Sequence, residues 1–137
     1  MAYEFRLTTQ IPASPEAIYD AWLDSRGHTE MTGGEAVMSA IEGDVYTAWD
    51  GYIAGKNLEL VPHRRIVQSW RTPEFAEIDP DSTIVVTLDP IDGGTQLTLE
   101  HRGVPDGQTD FEQGGWQDNY FTPMQEYFGV RDGGAAH

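Results

Sequence analysis

Four histidines, His28, His63, His101 and His137, are the side chains whose ordinary pKa suits proton transfer near neutrality. They fall in a loop or short helix, a turn, a strand and the C-terminal tail. No pair has the one-face spacing that holds zinc on a helix, so no metal site is expected. The absence of cysteine excludes disulfides, thiolate metal sites and cysteine nucleophiles together. No Gly-x-Ser-x-Gly elbow, Walker loop or dinucleotide fingerprint is present, and Gly33-Gly34 and Gly93-Gly94 read as turn glycines. No cofactor is expected. Pro73 to Asp81 gathers Glu74, Glu77, Asp79 and Asp81 around two prolines, but lacks the glycine and terminal glutamate of a calcium loop and reads as an exposed acidic loop.

One constellation could move a proton. His101, pointing inward from a strand near Tyr120, would be an imidazole in apolar surroundings with a phenol beside it. The alternative is a histidine at a rim, hydrogen-bonded to a neighbouring loop. No nucleophile accompanies it, and no reaction is indicated.

The elements that would position these residues follow from periodicity. Tyr3, Phe5 and Leu7 alternate with polar residues, which predicts a first strand ending near Ile11 and Pro12. Ser14 caps a helix with Pro15 at its first position and Ile18, Trp22 and Ala21 on its apolar side. Ser25 could cap a second short helix through His28 and Met31, stopped at Gly33 and Gly34. Ala36 to Ala40 and Val45 to Trp49 read as weak strands. Asp50-Gly51 predicts a hairpin with a primed turn, because both positions must tolerate positive φ. A strand from Tyr52 to about Leu60 follows, with Gly55 a bulge or close-approach point. Arg65 to Arg71 places Ile66, Gln68 and Trp70 on one face. Thr83 to Leu88 and Gln96 to His101 complete an antiparallel meander, the latter with Leu97, Leu99 and His101 alternating inward.

Thr109 opens the last helix with a capping box to Glu112. Trp116, Tyr120, Met124 and Phe128, with Tyr127, recur at helical spacing. Pro123 removes the N–H that would bond the Asn119 carbonyl, which predicts a bend between them. Residues 132–137 read as a flexible tail after a single domain, residues 1–131. This order of elements makes the fold α+β, with helices against one face of the sheet. The aromatic stripe alone is consistent with plain core.

A formal charge of −15, with Lys56 the one lysine, repels phosphate backbones and anionic lipid, so nucleic acid and membrane surfaces are excluded as partners. No apolar run approaches the length needed to span a bilayer, and no basic n-region precedes one; a cytoplasmic protein is expected.

The run D-G-Y-I-x-G-x-N-L-E-L-V-P-x-x-R-I-V-Q-x-W-R, from Asp50 to Arg71, resembles the C-terminal domain of activator of heat shock protein 90 ATPase homologues. That family lies within the START-like, or SRPBCC, helix-grip superfamily. The resemblance continues at Met31-Thr32-Gly33-Gly34, at His101 to Pro105, and from Gly115-Trp116-Gln117 through Tyr120-Phe121 to Phe128-Gly129. It implies a curved antiparallel sheet of about six or seven strands wrapped around a long C-terminal helix, two short helices after the first strand, and a cavity between sheet and helix. A small hydrophobic molecule would be held there by Trp49, Tyr52, Ile66, Trp70, Leu97, Leu99, His101, Trp116, Tyr120 and Met124, with no catalysis. Two other functions stay open: docking on a chaperone ATPase of the heat shock protein 90 family, and acid/base chemistry at His101 on an apolar substrate. The Asn-rich, Trp-containing segment tied to ATPase stimulation in the family's separate N-terminal domain has no counterpart in this sequence.

Overall fold

The computed structural model describes residues 2–105, 107–108 and 110–136. Thr109, the expected helix cap, and His137 lie outside the described residues. The chain runs β1 (Ala2–Ile11), α1 (Pro15–Trp22), α2 (Ser25–Thr32), β2 (Val45–Ala48), β3 (Ile53–Val61), β4 (Arg65–Trp70), β5 (Ser82–Ile91), β6 (Gly94–Pro105), two π-helical turns (Phe111–Gly115 and Gln117–Phe121) and α3 (Thr122–Ala136). The six strands form one antiparallel sheet in the order β1-β6-β5-β4-β3-β2. Its middle is a meander, and β1 returns to pair with β6 along nearly its whole length.

The helix starts follow their caps. Ser14 accepts the Ala17 N–H at 3.1 Å, with Pro15 at the first helical position. In α2 the cap is Asp24, whose carboxylate accepts the Gly27 N–H at 2.7 Å, and Ser25 is already helical. An aspartate cap also places negative charge at the positive helix end, which a serine would not. Gly33, at φ 90°, ends that helix.

The hairpin is closed by the Tyr52 N–H to the Trp49 carbonyl at 3.0 Å, with Asp50 and Gly51 both at positive φ as a primed turn requires. Gly55 is a close-approach point: a Cβ there would stand 1.9 Å from the Ser69 carbonyl oxygen of β4. The β3–β4 register shifts between Asn57 and Glu59, so the bulge lies just beyond that glycine. Ile66, Gln68 and Trp70 share the inner face of β4, all buried. Ala36 to Ala40 is not a strand; it meets the sheet through a single bridge between Val37 and Thr47. Its backbone is instead held by side chains, Thr29 and Ser25 taking the N–H groups of Ala36 and Met38.

The core lies between the inner sheet face and the helices. Ile66, Ile84, Val86, Leu88, Leu97 and Leu99 meet Ile18 and Trp22 of α1 and Tyr120, Phe121 and Met124 of the last helix. Phe75 roots the acidic loop in this core. Arg71 braces that loop by donating to the carbonyls of Ala76 and Asp79 at 2.7 and 2.6 Å.

The last helix differs from expectation in its winding. The Trp116 N–H reaches the Phe111 carbonyl and the Thr122 N–H the Gln117 carbonyl, five residues back in each case. Residues repeated every four positions drift by about 40° per step around an ideal α-helix. Wider turns reduce that drift, and so keep Phe111, Trp116, Tyr120 and Met124 facing the sheet. The π-helical winding gives way to regular α-helix at Thr122, so Pro123 sits in the first turn of α3.

Candidate functional site

Between β3, β4 and the π-helical turns lies a pocket of about 320 Å³, lined by Trp49, Tyr52, Ile53, Trp70, Phe111, Gly115, Trp116, Asn119 and Tyr120. Each element contributes for a local reason. β4 ends at Trp70, whose inward position follows from its alternation with Ile66 and Gln68. The π-helical turns bring Phe111, Gly115, Trp116, Asn119 and Tyr120 onto one wall.

The β2–β3 turn supplies Trp49 and Tyr52. Trp49 has φ 52°, an unusual backbone for so bulky a residue, and with Asp50 and Gly51 makes three consecutive left-handed residues. Such geometry costs on the order of 1–3 kcal/mol and persists where its surroundings impose it. Here Asp50 donates its N–H to the Glu35 carbonyl at 2.9 Å and accepts the Glu35 N–H on its carboxylate at 3.2 Å. The Trp49 indole lies on Gly34, where a Cβ would come within 2.3 Å of the ring. The two glycines after α2 thus have separate tasks: one ends the helix, the other makes room for a pocket wall.

Two buried histidines stand behind this wall, and their bonding fixes their states. His101 Nδ1 accepts the Trp116 indole N–H at 3.1 Å; since an indole only donates, the ring proton of a neutral His101 is on Nε2. That proton goes to Ser82 Oγ at 2.9 Å, and Ser82 passes its own to the Trp70 carbonyl at 2.6 Å. His28 has the opposite tautomer. Its Nδ1 donates to the Trp22 carbonyl at 2.9 Å, leaving Nε2 to accept the Tyr120 hydroxyl at 2.8 Å. Burial holds His101 down at about 3 and His28 at about 4, so both are neutral at pH 7. Burial also pushes the Tyr120 phenol well above its ordinary value; the Trp49 N–H beside it acts in the other direction but makes no hydrogen bond.

His101 is therefore not at a rim, and neither ring nitrogen is left for a substrate. The acid/base role open to it in the sequence is corrected: it is a structural histidine that fixes Trp70 and Trp116 from behind, with ring centroids 4.7 and 5.7 Å away. His28 carries little signal in the sequence because it falls in a short segment with weak periodicity. The one hint is its position one helical turn from Met31 on the buried side.

Of the candidate lining residues, Trp49, Tyr52, Trp70, Trp116 and Tyr120 come together at the pocket. Ile66, Leu97, Leu99 and Met124 do not; each is completely buried in the core, where sheet and helix side chains interlock. The interior is thus solid at one end and open at the other. Ile53, Phe111, Gly115 and Asn119 also line the pocket; Ile53 and Gly115 fall within the motifs of the resemblance, but hydrophobic periodicity marks none of the four as lining. Phe111 and Gly115 come into place through the π-helical winding, which periodicity at 3.6 residues does not anticipate.

A sheet gripping a terminal helix, with an aromatic pocket at the open end of the grip, defines a START-like helix-grip protein. More narrowly, the chain belongs to the family of Activator of Hsp90 ATPase homolog 1-like proteins, which matches it over residues 12–129. It is 31% identical over 116 residues to the human Activator of 90 kDa heat shock protein ATPase homolog 1, covering 85% of this chain and 34% of that protein. An uncharacterized Schizosaccharomyces pombe protein is 35% identical over 89 residues, covering 61% of this chain and 25% of that protein. The chain thus spans about a third of the length of the human relative. Among solved structures, a Plasmodium falciparum protein described as an HSP90 activator superposes with a TM-score of 0.83 at 24% identity, covering 93% of this chain and 96% of that one. A Chromobacterium violaceum protein superposes at 0.73 with 26% identity, covering 90% and 95%. Among the described residues, no helix is long and apolar enough to cross a membrane.

Proposed function

We propose that the protein binds a small hydrophobic molecule in the pocket between sheet and last helix, and that it acts by binding without catalysis. The observation that supports this reading is the pocket itself: about 320 Å³, walled largely by aromatic rings, of which Trp70, Phe111, Trp116 and Tyr120 pack against one another at 4.9–5.7 Å. Preformed, mainly apolar concavities with few polar groups are the usual form of small-molecule sites. The buried His101 and His28 serve it by locking the tryptophans and Tyr120 into place, so that little ordering is left for a ligand to impose.

Native mass spectrometry of freshly purified protein tests the reading. An adduct of small-molecule mass that is lost on denaturation is the expected result. Bare protein mass, with no binder found by ligand-observed NMR across an apolar fragment set, overturns it.

A second reading rests on the relatives, which are named as activators of a heat shock protein ATPase. The matched portion would dock on a chaperone of that class. Specific retention of the chaperone in a pull-down supports docking; equal recovery with a scrambled-surface control removes it.

A further inference from the structure

We infer that the ligand is an organic cation: an amine or quaternary ammonium carried on an apolar body. This deepens the proposed ligand-binding reading and rests on it. Six lining side chains are aromatic: Trp49, Tyr52, Trp70, Phe111, Trp116 and Tyr120. Their rings are not parallel. Trp70 and Phe111 meet at 82° and 5.0 Å, Trp70 and Trp116 at 40° and 5.7 Å, and Trp116 and Tyr120 at 46° and 4.9 Å. These rings border one space, reached from the β2–β3 turn, the end of β4 and the π-helical turns. Each face carries the negative lobe of the ring quadrupole, strongest for tryptophan, and attracts a cation.

A neutral guest would gain from burial alone, which Leu or Val walls provide as well as tryptophan. The charge pattern favours the cation too. Among the described residues no Lys or Arg lines the pocket, so nothing there repels a positive group. No carboxylate lines it either, so the ring faces are its main charge-complementary surface. The nearest arginine in sequence, Arg71, is held outside this set, over the Phe75 ring at 5.5 Å and on the carbonyls of Ala76 and Asp79. At the mouth, half-exposed Tyr52 donates its hydroxyl to the Glu74 carboxylate, which enriches the ring in electron density. The formal charge of −15 draws cations toward the molecule and turns anions away.

The test compares two guests of one shape: the (naphthylmethyl)trimethylammonium ion and its neutral carbon isostere, neopentylnaphthalene. Both are titrated by tryptophan fluorescence at high salt, where long-range attraction is screened. The cation is expected to bind at least about tenfold more tightly. Replacing the tryptophans by mono-, di- and trifluorinated analogues should then weaken the cation stepwise and leave the isostere unchanged. Three of the four tryptophans line the pocket and Trp22 is in the core, so the effect reports the cage. An isostere that binds as tightly as the cation, or a cation insensitive to fluorination, overturns the inference while the container stands. Failure of both guests to bind overturns the inference and counts against the container as well.

Discussion

At the scale of single residues, the pocket depends on side chains that do not touch it. His28 and His101 are neutral in the folded protein because burial lowers them to about 4 and about 3, whereas in the unfolded chain each titrates near 6.5. Below pH 6.5 the unfolded state takes up protons that the native state refuses. Stability is therefore complete above pH 6.5 and lost as pH falls, by about 1.4 kcal/mol per pH unit for each histidine, until its folded value is reached. Urea denaturation between pH 7 and pH 4 should show this slope, and His101→Gln should reduce it by one histidine's share; an unchanged slope contradicts the assignment. Tyr120→Phe isolates a different bond. It keeps the ring in the pocket wall but leaves His28 Nε2 without its donor. A loss of about 1–2 kcal/mol in urea is expected.

At the scale of elements, β3 and β4 approach too closely at one point to admit any side chain. Gly55→Ala places a Cβ 1.9 Å from the Ser69 carbonyl oxygen, and backbone cannot yield as a side-chain tip can. The cost is expected to be on the order of 3 kcal/mol, read from the urea midpoint. A change under about 0.5 kcal/mol would mean that the strands separate freely. Gly55 was legible in the sequence because a glycine inside a strand pattern weakens the strand and so marks a bulge or a close backbone approach. The Asp50-Gly51 turn was legible because few residues tolerate its φ. The inward alternation of Ile66, Gln68 and Trp70 was legible for a similar reason: one face of a half-buried strand admits a single register. What stayed hidden depends on contacts distant in sequence. The π-helical winding of Phe111 to Phe121, the left-handed Trp49, and the two histidine tautomers each follow from partners in other elements, whose arrangement local pattern does not carry. The division of Leu97, Leu99 and Met124 from the pocket is of the same kind, since core and pocket wall present the same residue types to a periodicity argument.

At the scale of the whole molecule, excess negative charge works against compaction. With acidic side chains distributed over the chain and a formal charge of −15, added salt should screen self-repulsion. The thermal midpoint is expected to rise between low and physiological ionic strength, and a flat response in calorimetry would show that local ion pairs already balance the charge. Such pairs are present at Arg26–Glu30, Arg65–Glu59 and Arg102–Glu100, all at the surface, where each contributes little.

The pairing of β1 with β6 has a bearing on biosynthesis. Tyr3 finds its neighbour in Val104 and Leu7 in Leu99, so β1 waits for some ninety further residues of chain before its edge is covered. A chain that ends before β6 leaves the facing edges of β1 and β5 uncovered. Arrested chains stopped before Gly94 should be digested by protease, and chains that carry residue 129 clear of the exit tunnel should resist it.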